Sequence, residues 1–211
     1  MLVTFEGIEG SGKSTQAKLL YDRLKDLGVD CILTKEPGAT YIGQKIREIL
    51  LIPQKERITK DAELFLYLAD RAQHIEHVIK PALKEKKIVI VDRFTDSTIA
   101  YQGYGRGISI EFLEMLNKKV TDDIEPDITF LLDLDPEEGL RRAKVRNTLN
   151  TKSSLEVRFE EEKIEFHKRV REGYLNILKR FPNRVVLLDG KKDVYSLSQE
   201  IFLIFKTKAN L

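Results

Sequence analysis

Gly7-Ile8-Glu9-Gly10-Ser11-Gly12-Lys13-Ser14 stands between an apolar run, Leu2 to Phe5, and a helical pattern that opens at its last residues. Glycines in such a strand-to-helix loop let the chain wrap closely, so that backbone N–H groups and the helix N-terminus face an anion. Lys13 sets a point charge against the β- and γ-phosphates of a nucleotide, and the Ser14 hydroxyl suits Mg²⁺. The nine residues Gly7, Ile8, Glu9, Gly10, Ser11, Gly12, Lys13, Ser14 and Thr15 are therefore the expected binding loop for a nucleotide donor. Glu9 is its unusual member. A carboxylate this near a triphosphate must point elsewhere, toward a Mg²⁺ water, a sugar hydroxyl or an arginine.

Outward from the loop, five short runs rich in β-branched and apolar residues read as buried strands: Leu2–Phe5, Asp30–Thr34, Ile88–Val91, Ile128–Leu134 and Val185–Leu188. Helical patterns alternate with them, which predicts an α/β fold with a parallel sheet covered on both faces. The first helix has apolar positions at Ala17, Leu20, Tyr21, Leu24 and Leu27, and Gly28 closes it. The segment from Ala62 to Ile79 carries two apolar stripes, one of Phe65, Leu68, Ala69 and Ala72, the other of Leu64, Tyr67, Ile75 and Val78. One stripe packs on the sheet; the second is left for a ligand, a second subunit or the monomer's own core. Pro81 is expected to help stop that helix. The third strand ends in Asp92-Arg93, a carboxylate for the Mg²⁺ and a guanidinium for a phosphate.

Composition narrows the function classes. The chain has 211 residues, read as a single domain. It has one cysteine, Cys31, so no intrachain disulfide forms, and nothing in its spacing resembles a zinc cage. One third of the chain is charged, yet the net charge is only +2, which gives no reason to expect a nucleic-acid partner. The high charged fraction also suits a thermophilic source. No apolar run approaches the ~18 residues of a membrane span, and Glu6 follows the apolar start at once, so a cytoplasmic protein is the default expectation.

Four further stretches line up with one family: Glu36-Pro37-Gly38-Ala39-Thr40, Gly43-Gln44-Lys45-Ile46-Arg47, Ala69-Asp70-Arg71-Ala72-Gln73-His74, and Asp92-Arg93-Phe94-Thr95-Asp96-Ser97-Thr98-Ile99-Ala100-Tyr101-Gln102-Gly103. With the glycine loop they closely resemble bacterial thymidylate kinases (dTMP kinases), essentially end to end. The resemblance implies the three-layer P-loop nucleoside monophosphate kinase fold, with a five-stranded parallel sheet flanked by helices and a short mobile lid near residues 142–157. It implies ATP with Mg²⁺ as phosphate donor, dTMP as acceptor in dTTP biosynthesis, and a homodimer formed through helices such as Ala62–Ile79. By position, Arg47 and Arg93 match the arginines on the acceptor phosphate, Arg71 the one on the thymine carbonyl, and Tyr67 the aromatic stacked on the base. Ser97, Thr98 and Gln102 match polar residues near base and sugar, Tyr101 the ring under the deoxyribose, and Glu9 the loop carboxylate near the sugar hydroxyl and phosphate. Ser14 and Asp92 are the expected metal ligands.

In one subgroup of that family the catalytic arginine sits in the glycine loop, and in another in the lid. Glu9-Gly10-Ser11 holds no arginine, so Arg142 or Arg146 is the expected lid arginine, joining Lys13, Arg93 and Glu9 in the catalytic set. The chain departs from the family pattern at Ala39 in place of a second glycine, Phe94 in place of a tyrosine, and Val157 at an aspartate position. The stretch from Asn147 to Leu155 also reads as longer than is common. Other readings are a kinase for dUMP, UMP or CMP, a deoxynucleoside kinase, or a P-loop ATPase switch. The acceptor arginines disfavour the second, and the Asp92–Gly103 constellation disfavours the last.

Overall fold

The computed structural model describes residues 1–149 and 157–209. Strand β1 (Leu2–Glu6) is central in a parallel sheet ordered β2-β3-β1-β4-β5, with β2 at Cys31–Lys35, β3 at Ile88–Asp92, β4 at Ile128–Asp133 and β5 at Val185–Asp189. Every predicted strand is present, within a residue or so at each end. Strands β2 and β3 lie on one side of β1, and β4 and β5 on the other. The crevice beyond the carboxyl ends of the strands around β1 is therefore where a ligand is expected. Four of the five strands end there on a carboxylate, Glu6, Asp92, Asp133 or Asp189.

Helix α1 (Lys13–Asp26) follows the loop directly, and Gly12 enters it at φ 92°. The other helices are α2 (Tyr41–Leu51), α3 (Lys60–His74), α4 (Lys80–Lys84), α5 (Thr95–Thr98), α6 (Ile110–Thr121), α7 (Pro136–Leu149), α8 (Ile164–Arg180) and α9 (Val194–Ala209). Side chains alternate across the sheet, as the strand period of two requires. Val3, Phe5, Phe130 and Leu132 face Leu20 and Leu24 of α1 and Ile201 and Phe205 of α9. On the opposite face Leu131 and Val185 meet Leu64 and Leu68 of α3, Leu113 of α6 and Val170 of α8. Both faces are covered, which is why the strand sequences are apolar almost throughout.

Two expectations need correction. Leu27 is 60% exposed, because α1 ends at Asp26 and the chain turns through Gly28 at φ 73°. Pro81 does not stop its helix. The chain passes from α3 through a π-helical segment, Ile75–Ile79, into α4, and Pro81 sits in the first turn of α4, where its missing N–H is tolerated. The π segment adds a residue to the turn and rotates the apolar face. Leu64 and Leu68 of α3 and Ile75 and Ile79 of the π segment are buried, while Phe65, in the stripe left over, is 56% exposed. The departure at Ala39 costs nothing in the backbone: Ala39 is not among the residues at positive φ, so it fits its loop without the strain that a left-handed conformation would bring.

Candidate active site

A cavity of about 470 Å³ opens at the carboxyl end of the sheet, and it is lined from the glycine loop on one side to α3 and the segment after α7 on the other. The half expected to take the nucleotide donor follows from the loop. Gly7 and Gly10 adopt φ 143° and 70°. A Cβ on Gly7 would lie 2.5 Å from the Leu132 carbonyl oxygen, so only glycine lets the loop lie this close to β4. Ile8, buried, accepts from Lys13 Nζ through its carbonyl at 3.1 Å. Burial, together with the neighbouring Arg93 charge, lowers the Lys13 pKa to about 8, against the pull of Asp92, Glu9 and Glu6. Ser11 is buried, and Thr15 is exposed on the first turn of α1, outside the cavity lining. Ser14 Oγ donates to Asp92 Oδ2, and Asp92 Oδ1 is buried with no partner among the described residues. Two hard oxygens, one of them uncommitted, fit Mg²⁺, which keeps several waters and takes few protein ligands.

The half expected to take the acceptor is built around Arg93. Strand β3 ends at Asp92, and Arg93 turns the chain with φ 71°, which throws its side chain back across the crevice. Nη2 donates to Glu9 Oε1 at 3.2 Å and to the Tyr101 hydroxyl at 3.1 Å, and Nη1 to Ser97 Oγ at 3.2 Å and Tyr174 at 3.3 Å. Glu9 therefore resolves its sequence ambiguity by pointing at an arginine. Tyr101 also donates to it at 2.6 Å, and His167 Nδ1 lies 3.4 Å from its other oxygen. Burial alone would raise the Glu9 pKa. His167 and the charges of Arg93 and Lys13 outweigh that and hold it well below the usual carboxylate range. Beneath this knot Glu6 accepts from Phe94 N at 2.7 Å, Ser97 Oγ at 2.6 Å and Tyr174 at 2.9 Å, which fixes the turn that Arg93 makes. Its own pKa is raised, first by burial and then by the Asp96 charge.

The second π-helical segment, Ile99–Gly105, directs Tyr101 and Gln102 into the cavity. π turns recur at functional sites because they redirect side chains out of the helical register. Tyr67 lines the opposite wall. Between them stands Phe159, whose ring is 6.4 Å from Tyr67 and 5.5 Å, edge-on, from Tyr101. Arg71 is 1% exposed. Its guanidinium spends four of its five N–H groups on Glu36 (2.8 Å), Thr98 (2.8 Å), Asn117 (2.6 Å) and the Phe94 carbonyl (3.0 Å), so what it offers a ligand is its edge and its charge. Phe94 is wholly buried beside Ile75, Ile79 and Val91, an apolar nest that has no use for the family's hydroxyl.

Arg47 donates to the Pro37 carbonyl at 2.9 Å and lines the cavity from α2. The same loop is held by Asp70, whose Oδ1 accepts from Gly38 N at 2.9 Å while Oδ2 is buried without a partner among the described residues. Burial, then the Glu36 charge, raises the Asp70 pKa from 3.8 to about 6. A group whose folded pKa is raised stabilises the fold below its unfolded pKa and loses that contribution as pH rises through the folded one. Stability from Asp70 thus declines between 3.8 and about 6. Asp70→Asn keeps an acceptor for Gly38 and removes the charge. It should raise Tm at pH 8 by roughly 3 °C or more over wild type, and the gain should vanish near pH 4. A difference independent of pH would show that the charge is not the cause.

The two lid candidates separate. Arg146 lines the cavity and donates to Glu160 at 2.6 Å. Arg142 lies outside the lining, donating to Glu138 at 2.7 Å and to the Gly190 carbonyl at 2.8 Å, so that it ties α7 to the turn after β5. The longer stretch expected around Asn147 to Leu155 falls mostly at residues 150–156, outside the described residues. Sequence reasoning missed Phe159, Glu6, His167 and Tyr174. The family position at Val157 adjoins the segment holding the first of these; the others carry no local signal. His74 bridges Glu36 (2.9 Å) and Thr34 (2.8 Å) and so steadies Arg71's partner.

A family model described as thymidylate kinase matches residues 5–201. The chain is 50% identical over 190 residues to the thymidylate kinase of Desulfosudis oleivorans, covering 90% of this chain and 89% of that one. It is 50% identical over 201 residues to that of Maridesulfovibrio salexigens, covering 95% and 93%. Among solved structures, the crystal structure of thymidylate kinase from Ehrlichia chaffeensis superposes with a TM-score of 0.77 at 37% identity, covering 97% of this chain and 98% of that one.

Proposed function

This chain belongs to the thymidylate kinase family and phosphorylates dTMP with ATP as donor, and we propose that it does so by in-line transfer across the cavity described above. The observation that carries the mechanism is that one cavity is lined by Lys13, Ser14 and Asp92 and also by Arg47, Tyr67, Arg71, Arg93 and Tyr101. A two-substrate phosphoryl transfer needs donor and acceptor phosphates side by side, and this lining offers charge and hydrogen bonds to both. The glycine loop and Lys13 hold the β- and γ-phosphates. Arg93 and Arg47 grip the acceptor phosphate, for which guanidinium forks are suited. Tyr67 and Phe159 flank the base, Arg71, Ser97, Thr98 and Gln102 supply polar edges, and Tyr101 packs against the sugar where a 2′-hydroxyl would intrude.

No general base is required, because the attacking acceptor oxygen is already ionised at neutral pH. Glu9 draws the Arg93 fork and the Tyr101 hydroxyl toward one point, so the two groups act together on the acceptor. Ser14 and Asp92 would hold Mg²⁺, whose chemistry there is to neutralise the phosphate oxygens as charge shifts to the leaving group. Arg146 supplies the remaining positive charge from the lid side, and its bond to Glu160 is the contact it exchanges for phosphate.

The enzyme is proposed to work as a cytoplasmic homodimer. Phe65 on α3 and Phe112 and Met115 on the adjoining α6 are exposed, which favours a subunit interface on that face. A panel of acceptors in a coupled ADP-release assay with ATP and Mg²⁺ tests the reading. The kcat/KM for dTMP should exceed that for dUMP, UMP, dCMP and AMP. Preference for UMP or dUMP would favour the alternative pyrimidine kinase, and ADP release that ignores acceptors would favour a switch ATPase.

A further inference from the structure

Glu63 lies in α3, one turn before Tyr67, and its side chain is 1% exposed. It accepts four hydrogen bonds. Gln102 Nε2 at 2.9 Å and Arg106 Nε at 3.1 Å reach Oε1; Arg106 Nη2 at 3.0 Å and Arg158 Nη1 at 2.8 Å reach Oε2. Burial opposes its ionisation, but the hydrogen bond and charge of Arg106, with Arg158 and Gln102, hold its pKa below the ordinary carboxylate range. A buried carboxylate satisfied this fully, between two guanidiniums, is a rigid joint.

The joint connects the acceptor wall to the lid side of the site. Gln102 belongs to the acceptor wall. Arg158 begins the segment after the lid and is pinned to the end of α2, its Nε donating to the Leu50 carbonyl and its backbone N–H to the Leu51 carbonyl at 3.1 Å. The next residue is Phe159, the ring between Tyr67 and Tyr101. Glu160 follows, the partner of Arg146. The far end of the segment returns to the same carboxylate, because Arg106 also pairs with Glu162 at 2.6 Å and lies 4.5 Å over the Phe166 ring. The segment that carries one acceptor contact and one lid contact is thus anchored at both ends on Glu63.

We propose that Glu63 is a positioning residue that couples the acceptor site to the lid, acting through Arg158 and Arg106 on Phe159 and Glu160. The inference rests on the reading of Arg146 as the lid arginine. It differs from a merely structural role in requiring that dTMP affinity and turnover move together, and that the turnover effect run through Arg146.

The test is a double-mutant cycle of Glu63→Gln and Arg146→Ala, with kcat from coupled ADP release and dTMP affinity from calorimetry without ATP. The introduced amide matches the native carboxylate in size but forms no ion pair with either arginine. Glu63→Gln should lose about tenfold in dTMP affinity and about tenfold in kcat, a coupling ordinary for residues in one ion-pair network. Arg146→Ala should lose kcat alone, and the double variant should fall no more than about twofold below it. Losses in kcat that multiply, or a Glu63→Gln enzyme altered in affinity alone or in kcat alone, would overturn the coupling. An unchanged kcat in Arg146→Ala would instead remove the lid assignment, and the joint change demanded of Glu63→Gln would still decide the coupling. If Glu63→Gln fails to fold by circular dichroism, Arg158→Gln, which cuts the same ion pair, takes its place with the same expected pattern.

Discussion

An Arg93→Ala enzyme should lose about a thousandfold or more in kcat/KM for dTMP, most of it through KM, while KM for ATP changes little. Three effects add. The acceptor phosphate loses its guanidinium fork, Glu9 loses a charged partner that offsets its burial, and Tyr101 loses the donor at 3.1 Å that fixes its hydroxyl. Truncating one partner of a largely desolvated, hydrogen-bonded charge pair typically costs about 2–5 kcal/mol of binding, and that is the scale of the expected loss. The backbone adds a separable term. At φ 71° an alanine is strained by roughly 1–2 kcal/mol and a glycine is not. Arg93→Gly should therefore be more stable than Arg93→Ala in urea and no more active. If Arg93→Gly recovered activity, strain rather than the missing guanidinium would explain the loss.

Gly10→Ala should be the most damaging change of a single atom in the glycine loop. Gly10 sits at φ 70°, and a Cβ there would meet the Gly139 carbonyl oxygen at 2.1 Å, a backbone atom in the first turn of α7. Either the loop or α7 must move, and α7 carries Arg146. A stability loss of about 3 kcal/mol is expected, with kcat/KM for ATP down about a hundredfold. Gly28→Ala is the control. It has nearly the same φ, 73°, with nothing within 4 Å of the added Cβ. It should cost only about 1 kcal/mol and leave ATP kinetics alone. Equal losses at the two positions would mean that the contact with Gly139 does not matter.

The parts of this site that sit beside a local signal were legible before any coordinates. The glycine loop, the Asp92-Arg93 strand end and the five apolar strands are each written in consecutive residues, because a strand's burial and a loop's tight turns are local requirements. Tyr101 and Gln102 were legible only through family resemblance, since they lie on a π-helical segment that regular helical spacing does not anticipate. The same kind of irregularity at Ile75–Ile79 carries the helix on past Pro81, which the proline signal alone reads as its stop. Glu63 and Arg158 are 95 positions apart, and no periodicity links them. Their pairing is decided by how α3 and the segment after α7 pack. The choice between Arg142 and Arg146 was likewise three-dimensional, because it turns on which face of α7 looks into the cavity.

The central claim is that the knot of Arg93, Glu9 and Tyr101 is a seat for the acceptor's phosphate and not only a structural cluster. Calorimetric titration of the wild-type enzyme with dTMP and with thymidine, which differ only in that phosphate, tests it most directly. The account predicts that dTMP binds about a hundredfold more tightly or better, as a bidentate guanidinium–phosphate contact implies. Equal affinities for the two ligands would contradict it.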